Sequence, residues 1–440
     1  MIRWSAVCHA ARTMGLRTPV ATAVGSMTDH RGVSNGTGTK RLTPVPEYQQ
    51  RIAELLAPTP VEPRALEDCL GLALATDLTA SIPLPPFDNS AMDGYAVRSV
   101  DLAGADEQNP VVLPVPEDVP AGRVQNPPLQ PGTAHRIMTG AQVPPGADAV
   151  IPVERTDGGV TEVRAYAQVQ PGAHIRRAGE DVASGATVLS AGTSLTPPQL
   201  GVAAAVGAER LPVHRPVRVL ILSTGSELVA PGTPLEPGQI YESNGLMLAS
   251  AVRAADADAR LLRFVPDDVH AFHAVLSPHL DSTDLIITSG GVSAGAYEVV
   301  KDALSGNGVE FTKVAMQPGM PQGCGRYRGG PAVVALPGNP VSAMVSFEVF
   351  VRPVLRAAAG HSRTRREVRQ ATLTEELVAP AGKRQYRRAV FDPATGEVRT
   401  QGGTGSHLLT AMAAANCLLE IPEETTTLPE GSTVDVLLVD

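Results

Sequence analysis

The sequence predicts a multidomain protein that combines one parallel α/β domain with β-rich modules, a split helical module and a C-terminal β-barrel. Three observations support this fold class. The chain has 440 residues, whereas a typical domain has about 100 to 150. Its 42 glycines and 39 prolines favour many turns. Apolar runs of strand length alternate with amphipathic helical segments only between residues 216 and 362, and this alternation is typical of βαβ units.

The composition argues against a nucleic-acid-binding or membrane protein. The formal net charge is −9 and only 3% of residues are aromatic, so the basic field and the stacking surfaces of a nucleic-acid binder are missing. No apolar run approaches the ~20 residues that cross a bilayer. The four cysteines are far apart and form no Cys-x-x-Cys pair. We therefore expect neither a zinc site nor a disulfide framework, and a reducing, cytoplasmic location.

The first 42 residues carry little hydrophobic pattern and six basic residues against one acid, Asp29. This composition resembles an organelle transit peptide. A disordered tail, or a coding start placed too early with Met27 as the true start, would look the same. We expect residues 1–42 to be a disordered or misassigned extension.

Residues 43–83 and 182–215 are expected to form one discontinuous helical module. Tyr48, Ile52 and Leu55 have helical spacing, and a second short helix is predicted from Ala65 to Leu70. A third helix should follow Thr196, with Thr196 as its cap. The intervening residues 84–181 consist of short β runs separated by Pro-Gly turns, which predicts a β-rich module.

Residues 216–362 are predicted to form the α/β domain, and residues 363–440 a small β-barrel. Strands are expected at 217–222, 260–265, 284–288 and 332–336, and helices at 246–255, 269–280 and 341–359. All four strands should be parallel, so their carboxyl ends should meet at one edge of the sheet.

Three glycine-containing turns are predicted at that edge. Glycine allows positive φ and close approach of a ligand, and the following helix start offers free N–H groups to an anion. Asn339 and Pro340 have the pattern of a helix cap followed by the first helical residue. We therefore predict a phosphate or pterin pocket, formed by residues 223–227, 289–291 and 337–340.

Seven segments, in order along the chain, resemble the signature blocks of the MoeA and gephyrin E-domain family, which inserts molybdenum into the molybdenum cofactor. The resemblance runs from about residue 43 to the C-terminus. The matching segments are 87–97, 136–141, 179–182, 223–228, 240–245, 289–295 and 336–343.

The resemblance implies a Mg²⁺-dependent molybdopterin molybdenumtransferase. Its substrates would be adenylylated molybdopterin and molybdate, and its products molybdenum cofactor and AMP. It also implies a homodimer with a MogA-like α/β domain, and it allows contacts with a molybdopterin adenylyltransferase and with molybdoenzyme maturation proteins. The family places its pocket between the α/β and C-terminal modules of one subunit and the β module of the other.

The resemblance also implies roles for individual residues. Asp181, Glu227 and Glu298 are candidate catalytic residues and Mg²⁺ ligands, although Glu298 stands where Asp is commoner. Two further catalytic candidates are Asp93 and Thr139. Molybdate, a dianion, needs cationic or N–H donors. The residues expected to line the pocket are Ser223, Thr224, Gly225, Asn244, Ser289, Gly290, Gly291, Ser293, Lys313, Pro337, Gly338, Asn339, Pro340, Arg388 and Ser406.

One segment departs from the family pattern. The family commonly has Lys-Pro-Gly-Lys-Pro where this chain has Gln317-Pro318-Gly319-Met320-Pro321. Either Lys313 and the arginines compensate for the two missing lysines, or the chain is a molybdopterin-binding scaffold or a paralogue with weak transfer. A pterin adenylyltransferase is a third possibility, and the sequence leaves open whether tungstate replaces molybdate.

Overall fold

The α/β domain is built on a six-stranded sheet whose central strands are continuous apolar runs. The computed structural model describes residues 41–265, 268–290 and 299–439. The first four strands in spatial order are parallel, the fifth runs antiparallel to both of its neighbours, and the sixth runs in the direction of the first four. In that order the strands are Asp258–Val265, Arg218–Thr224, Leu285–Ser289, Ala332–Leu336, Pro321–Arg326 and Val309–Lys313.

The predicted parallel α/β fold is confirmed. Leu285–Ser289 and Ala332–Leu336 are buried at every position, as strands covered on both faces must be. Sequence analysis did not identify the last two strands in this order. The antiparallel one, Pro321–Arg326, contains two glycines and no alternating pattern. The helices of this domain are Asn244–Arg253, Val269–Leu276, Val299–Leu304, Pro340–Ser346 and Arg352–Ala358, with a 3₁₀ segment at Ser277–Ser282 and a π-helical segment at Phe347–Val351.

The first helix, Val45–Ala53, belongs to the core of the α/β domain and not to the split module in which we expected it. Tyr48 is fully buried and packs edge-to-face on Phe350, with ring centroids 4.9 Å apart. Val45 and Ile52 join the same apolar cluster. The helical spacing was recognised correctly, but sequence periodicity does not show which partner covers an apolar face.

The split module is formed by residues on either side of the β module. Strand Val61–Ala65 pairs with Arg210–His214, and Leu78–Thr79 pairs with Thr187–Leu189. Helix Pro197–Ala205 packs beside them. The helix predicted from Ala65 to Leu70 is wrong: a strand ends at Ala65, and a single 3₁₀ turn follows at Leu66–Asp68. The pairing partner lies about 150 residues further along the chain, so local propensity could not predict this strand.

The β module contains a four-stranded sheet in the order Glu117–Val119, His135–Ile137, Gly94–Val97 and Ala149–Pro152. Two short antiparallel pairs complete it. Val111–Pro114 pairs with Glu162–Ala165, and Asn89–Ser90 pairs with Ile175–Arg176. Short 3₁₀ segments lie at Ser99–Leu102 and Val153–Arg155.

The C-terminal module is a closed five-stranded barrel, as predicted. The strands in order around the barrel are Arg384–Asp392, Glu397–Thr400, Val368–Leu373, Thr433–Leu438 and Cys417–Ile421, and the last pairs with the first. The short strand Met316–Gln317 adds to Arg384–Asp392 in parallel and ties the barrel to the α/β domain.

The remaining short elements lie in loops. They are the strand pairs Leu228–Val229 with Ile240–Tyr241 and Leu377–Val378 with Thr427–Leu428, helix Leu409–Ala413 and the 3₁₀ turn Tyr327–Gly329. Cys69 and Cys324 are buried thiols outside any disulfide. Within the described ranges, the helices are all too short or too polar to cross a bilayer.

Candidate functional site

Two of the three predicted turns are in direct contact at the carboxyl edge of the sheet. The N–H of Gly290 donates to the carbonyl of Leu336 across 3.2 Å. A Cβ on Gly338 would lie only 3.3 Å from the Cα of Gly290. Gly290 has φ +99°, a conformation that side chains disfavour. Glycine at both positions therefore lets the two turns meet and leaves their backbone groups at the edge.

Asn244 joins these turns to the start of a helix. Its Nδ2 donates to Ser289 Oγ at 2.9 Å and to the carbonyl of Gly338 at 2.6 Å. Asn244 is the first residue of helix Asn244–Arg253, so the N-terminal end of that helix lies next to the glycine turns. The sequence placed Asn244, Ser289 and Gly338 in one pocket, and the structure brings them together.

Glu242 is a residue of this edge that sequence analysis missed. Its side chain is buried, and Oε1 accepts hydrogen bonds from Ser223 Oγ at 3.0 Å and from the N–H of Gly245 at 2.6 Å. Among the described residues Oε2 has no hydrogen-bond partner, and Arg263 Nε lies 3.8 Å away. An acid four residues before the helix predicted at 246–255 was the available signal, since carboxylates are favoured at helix N-termini.

Glu227 lies over the end of strand Arg218–Thr224. Its carboxylate oxygens would be 2.7 and 2.8 Å from a Cβ on Gly225, so the side chain folds back over that glycine. Glu227 is exposed, while Ser223 and Thr224 are buried. The third predicted turn thus presents a carboxylate, whereas the other two present backbone groups.

A loop of the C-terminal barrel reaches the same edge. Asn339 Nδ2 donates to Ser406 Oγ at 2.9 Å, and the N–H of Val341 donates to the carbonyl of Ser406 at 3.1 Å. Asn339 therefore does not cap its own helix through its side chain, as we predicted, but holds the barrel loop. Arg388 donates to the carbonyls of Gly403 and Gly405 in that loop. Ser406 is thus fixed beside Asn339 and Val341, and Arg388 holds the loop that carries Ser406.

A pocket of about 130 Å³ lies between the barrel and the Gln317-Pro318 segment. It is lined by two arginines, two glutamines, a tyrosine and a threonine-glycine loop. Burial lowers the pKa of Arg387 and of Arg388, because a cation loses hydration there. Lys313 ends its strand at the same side of the sheet, but it is exposed and does not line this pocket.

The candidates in the β module are not brought to this edge. The N–H and Oγ1 of Thr139 both donate to Asp93 Oδ1 at 2.7 Å, and these two bonds lower the pKa of Asp93. Asp181 is exposed, and its N–H donates to the carbonyl of Leu84. In the described part of the chain, no hydrogen bond links the β module to the sheet edge or the barrel loop.

Three predicted site residues, Gly291, Ser293 and Glu298, lie outside the described residues. Among the residues described, no three acidic, histidine or cysteine side chains form a cluster that would hold a metal ion. Among the residues described, Glu227 and Glu242 are carboxylates that lie beside the predicted turns of this edge. Mg²⁺ is commonly held by one or two carboxylates together with substrate phosphate oxygens, so this donor set fits Mg²⁺ that is bound with a phosphate.

Comparisons with protein families match nearly the whole described chain. The profile of the MoeA N-terminal region (domain I and II) matches residues 43–207. The profile described as "Probable molybdopterin binding domain" matches residues 220–357. The profile of the MoeA C-terminal region (domain IV) matches residues 370–439.

Individual relatives match over their full lengths. "Molybdopterin molybdenumtransferase 2" of Mycobacterium tuberculosis strain H37Rv is 56% identical over 399 residues, which cover 89% of this chain and 98% of the relative. "Molybdopterin molybdenumtransferase" of Bacillus subtilis strain 168 is 34% identical, covering 91% of this chain and 95% of the relative. The crystal structure of the molybdopterin biosynthesis MoeA protein from Pyrococcus horikoshii OT3 superposes with a TM-score of 0.76 at 30% identity, covering 91% and 100% of the two chains.

Proposed function

The chain belongs to the MoeA family and is a transferase of molybdenum cofactor biosynthesis, and we propose that it transfers molybdenum from molybdate to adenylylated molybdopterin, releasing AMP. The observation that carries this proposal is the meeting of the glycine turns with the barrel loop through Asn244, Asn339 and Ser406. Backbone N–H groups on one side and guanidinium groups on the other suit a substrate with several anionic groups.

The glycine turns would bind the phosphate of molybdopterin. Gly290 and Gly338 lack side chains that would block the approach, and Asn244 holds both turns in place. The phosphate-binding half of the pocket would be completed by Ser223, Thr224, Gly225 and Ser289. These residues position the substrate and exclude water, and they take no part in proton transfer.

Arg388 would bind molybdate, assisted by the helix that begins at Pro340. Arg388 is only 5% exposed, and its Nε has no hydrogen-bond partner among the described residues. A buried donor of that kind costs about 1–3 kcal/mol unless an acceptor reaches it. An oxyanion in the adjoining pocket would supply the acceptor.

We propose that Mg²⁺ binds with the pyrophosphate of the substrate. Glu227 would hold it from the α/β domain, together with Glu298, and Asp181 from the β module. The ion would neutralise the phosphate oxygens when it is bound. Asp93 would keep the hydroxyl proton of Thr139 directed at its own Oδ1, which leaves the Thr139 oxygen free to accept a hydrogen bond.

We also propose that two copies of the chain build one site. Asp181 and Thr139 have no contact with Glu227 within the described chain, although the family resemblance assigns all three to one pocket. A second copy would bring its β module to the edge, and a symmetric dimer would then have two such sites.

A scaffold that binds molybdopterin without efficient transfer is the second candidate. It is favoured by Gln317 and Met320, which stand where the family resemblance leads us to expect lysines. Gln317 lines the pocket beside Arg388, so the substitution affects the site itself. Restoring lysine at both positions should create activity if the scaffold interpretation is correct, and should change little if the chain is already a transferase.

The test of the main proposal is molybdate-dependent release of AMP. Purified protein is incubated with adenylylated molybdopterin and Mg²⁺, with and without micromolar molybdate. We expect AMP and active cofactor to form only when molybdate is present. Absence of AMP release under conditions in which a known relative is active would refute the transferase proposal.

A further inference from the structure

The pocket beside the barrel contains a cation that the sequence analysis did not single out, Arg387. The short strand Met316–Gln317 runs parallel to Arg384–Asp392, with Gln317 opposite Gln385. Strand alternation places Gln385 and Arg387 on one face, and Arg387 Nε donates to Gln385 Oε1 at 2.8 Å. Gln317, Gln385 and Arg387 therefore line the same cavity.

Both arginines of this cavity lack a counter-ion. Arg387 donates to Gln385 Oε1 and to the carbonyl of Val378, and Arg388 donates only to carbonyls. Neither forms an ion pair with any residue that the structure describes. Arg384, on the same strand, pairs with Glu420 at 3.0 Å and with Glu423 at 2.8 Å. Carboxylates therefore pair with the arginine at the start of this strand, but not with the two arginines that line the pocket.

One acid, Glu375, acts on Arg387 without forming an ion pair with it. Its Oε1 accepts both the N–H and the Oγ1 of Thr400, each at 2.6 Å. Two partly or fully buried guanidinium groups without a carboxylate are costly to keep in a cavity. Such a cavity is suited to an anion, and two guanidinium groups match the charge of a dianion.

Arg387 is held ready for that role. Its two hydrogen bonds, through Nε and Nη2, fix the plane of the guanidinium group. Nη1 forms no hydrogen bond with a described residue. Arg387 is half-buried, so its charge is less screened than that of a surface arginine.

We propose that Arg387 supplies the second positive charge of the molybdate site, across the pocket from the neutral Gln317. The inference rests on the proposed function, because it takes molybdate as the anion. In this chain the cation would come from the barrel strand, because position 317 of the connecting segment carries a neutral glutamine where the family resemblance leads us to expect lysine. Arg387 would donate to a molybdate oxygen through Nη1, and Arg388 would approach the same pocket from the other face of the strand.

Calorimetric titration of the full chain with molybdate tests the inference without requiring transfer. Arg387→Gln should weaken molybdate binding about tenfold, the usual effect of removing a charge-assisted hydrogen bond. Arg387→Gln combined with Gln317→Lys should recover most of the lost affinity, because a cation returns on the facing segment. Arg399→Gln, which removes an exposed charge from the neighbouring strand, should leave the affinity within about twofold.

The inference is overturned if Arg387→Gln binds molybdate as tightly as the unchanged chain, or if Arg399→Gln weakens binding equally. Thermal unfolding identifies a variant that fails to fold. In that case two variants of equal stability decide: Arg387→Lys, which keeps the charge, should bind molybdate more tightly than Arg387→Met, which removes it. Equal binding by these two variants contradicts the inference. If every variant binds molybdate equally while AMP is still released, the inference fails and the transferase proposal stands.

Discussion

At the scale of single residues, the sequence identified the groups that lie at strand ends and missed those defined by three-dimensional neighbours. Asn244, Ser289 and Gly338 follow strands or begin a helix, so their positions could be predicted. Glu242 offered only its place shortly before a predicted helix, and Arg387 offered no signal. The importance of these residues comes from an oxygen without a described partner and from a cavity without a carboxylate. Such features depend on what surrounds a side chain, and the surroundings come from distant parts of the sequence.

Asp284 shows how one residue anchors the strand that carries Ser289. Burial alone would raise the pKa of its carboxyl, but hydrogen bonds from Arg218 and Arg215 outweigh burial and lower the pKa to about 2. The Arg218 and Arg215 bonds are 2.8 to 3.2 Å long. Because the unfolded pKa is about 3.9, the ionised carboxylate stabilises the fold above that pH and less as the pH falls toward 2.

We therefore predict that Asp284→Asn lowers the free energy of unfolding by about 1–2 kcal/mol at pH 7, after allowance for solvent screening. The difference from the unchanged chain should shrink below pH 4, where the carboxyl of the unchanged chain begins to protonate. Urea denaturation at several pH values measures it. Asp281→Asn, which changes an exposed acid in the preceding 3₁₀ segment, should show little effect, and a pH-independent loss for Asp284→Asn would contradict the account.

At the scale of elements, the parallel strands were predicted well and the short pairings were not. The strands at 284–288 and 332–336 are buried on both faces, and a short apolar run is a clear signal for such a strand. Strand Val61–Ala65 has no signal of its own, because Arg210–His214 imposes it through pairing. Strand Pro321–Arg326 also lacks a recognisable strand pattern, because two of its six residues are glycines.

The contact between the two glycine turns gives the prediction at this scale. In Gly338→Ala, the added methyl would lie 3.3 Å from the Cα of Gly290, and both groups are backbone-anchored. The turns must separate, so we expect binding of AMP or molybdopterin to weaken about tenfold, which corresponds to about 1.4 kcal/mol. Equilibrium titration measures the affinity.

Gly201→Ala is the matched control, since a Cβ there meets no atom within 4 Å and the residue lies in helix Pro197–Ala205. Alanine should favour that helix by up to about 1 kcal/mol. Ligand affinity should not change in the control. Full affinity in Gly338→Ala would show that the turns do not form the phosphate pocket.

At the scale of the whole molecule, the site is divided between modules that are far apart in sequence. The sheet edge and the barrel loop meet through Asn339 and Ser406. Asp93 and Thr139 form their hydrogen bond within the β module. The resemblance implied this division, and the share of the β module in the site stays a prediction. Composition and periodicity predicted the modules themselves. They could not predict the contacts between modules, because those contacts involve single polar side chains.

Complementation between variants tests whether two copies build one site. Asp181→Ala and Glu227→Ala should each be nearly inactive as pure proteins. When the two are unfolded, mixed in equal amounts and refolded together, statistical pairing should restore about a quarter of the unmodified activity, because half of the dimers then contain one intact site. AMP release measures the outcome. Failure of the mixture to exceed either parent would show that both residues act within the same chain.

The most direct measurement is a crystal structure of the protein soaked with molybdate and AMP, with molybdenum located by its anomalous scattering. The proposed function and the charge distribution of the pocket together predict a molybdenum peak between Gln317 and the guanidinium groups of Arg387 and Arg388. AMP should lie along the edge formed by Ser289, Gly290 and Gly338. A molybdenum site elsewhere, with the arginine pocket containing only water, would contradict the account.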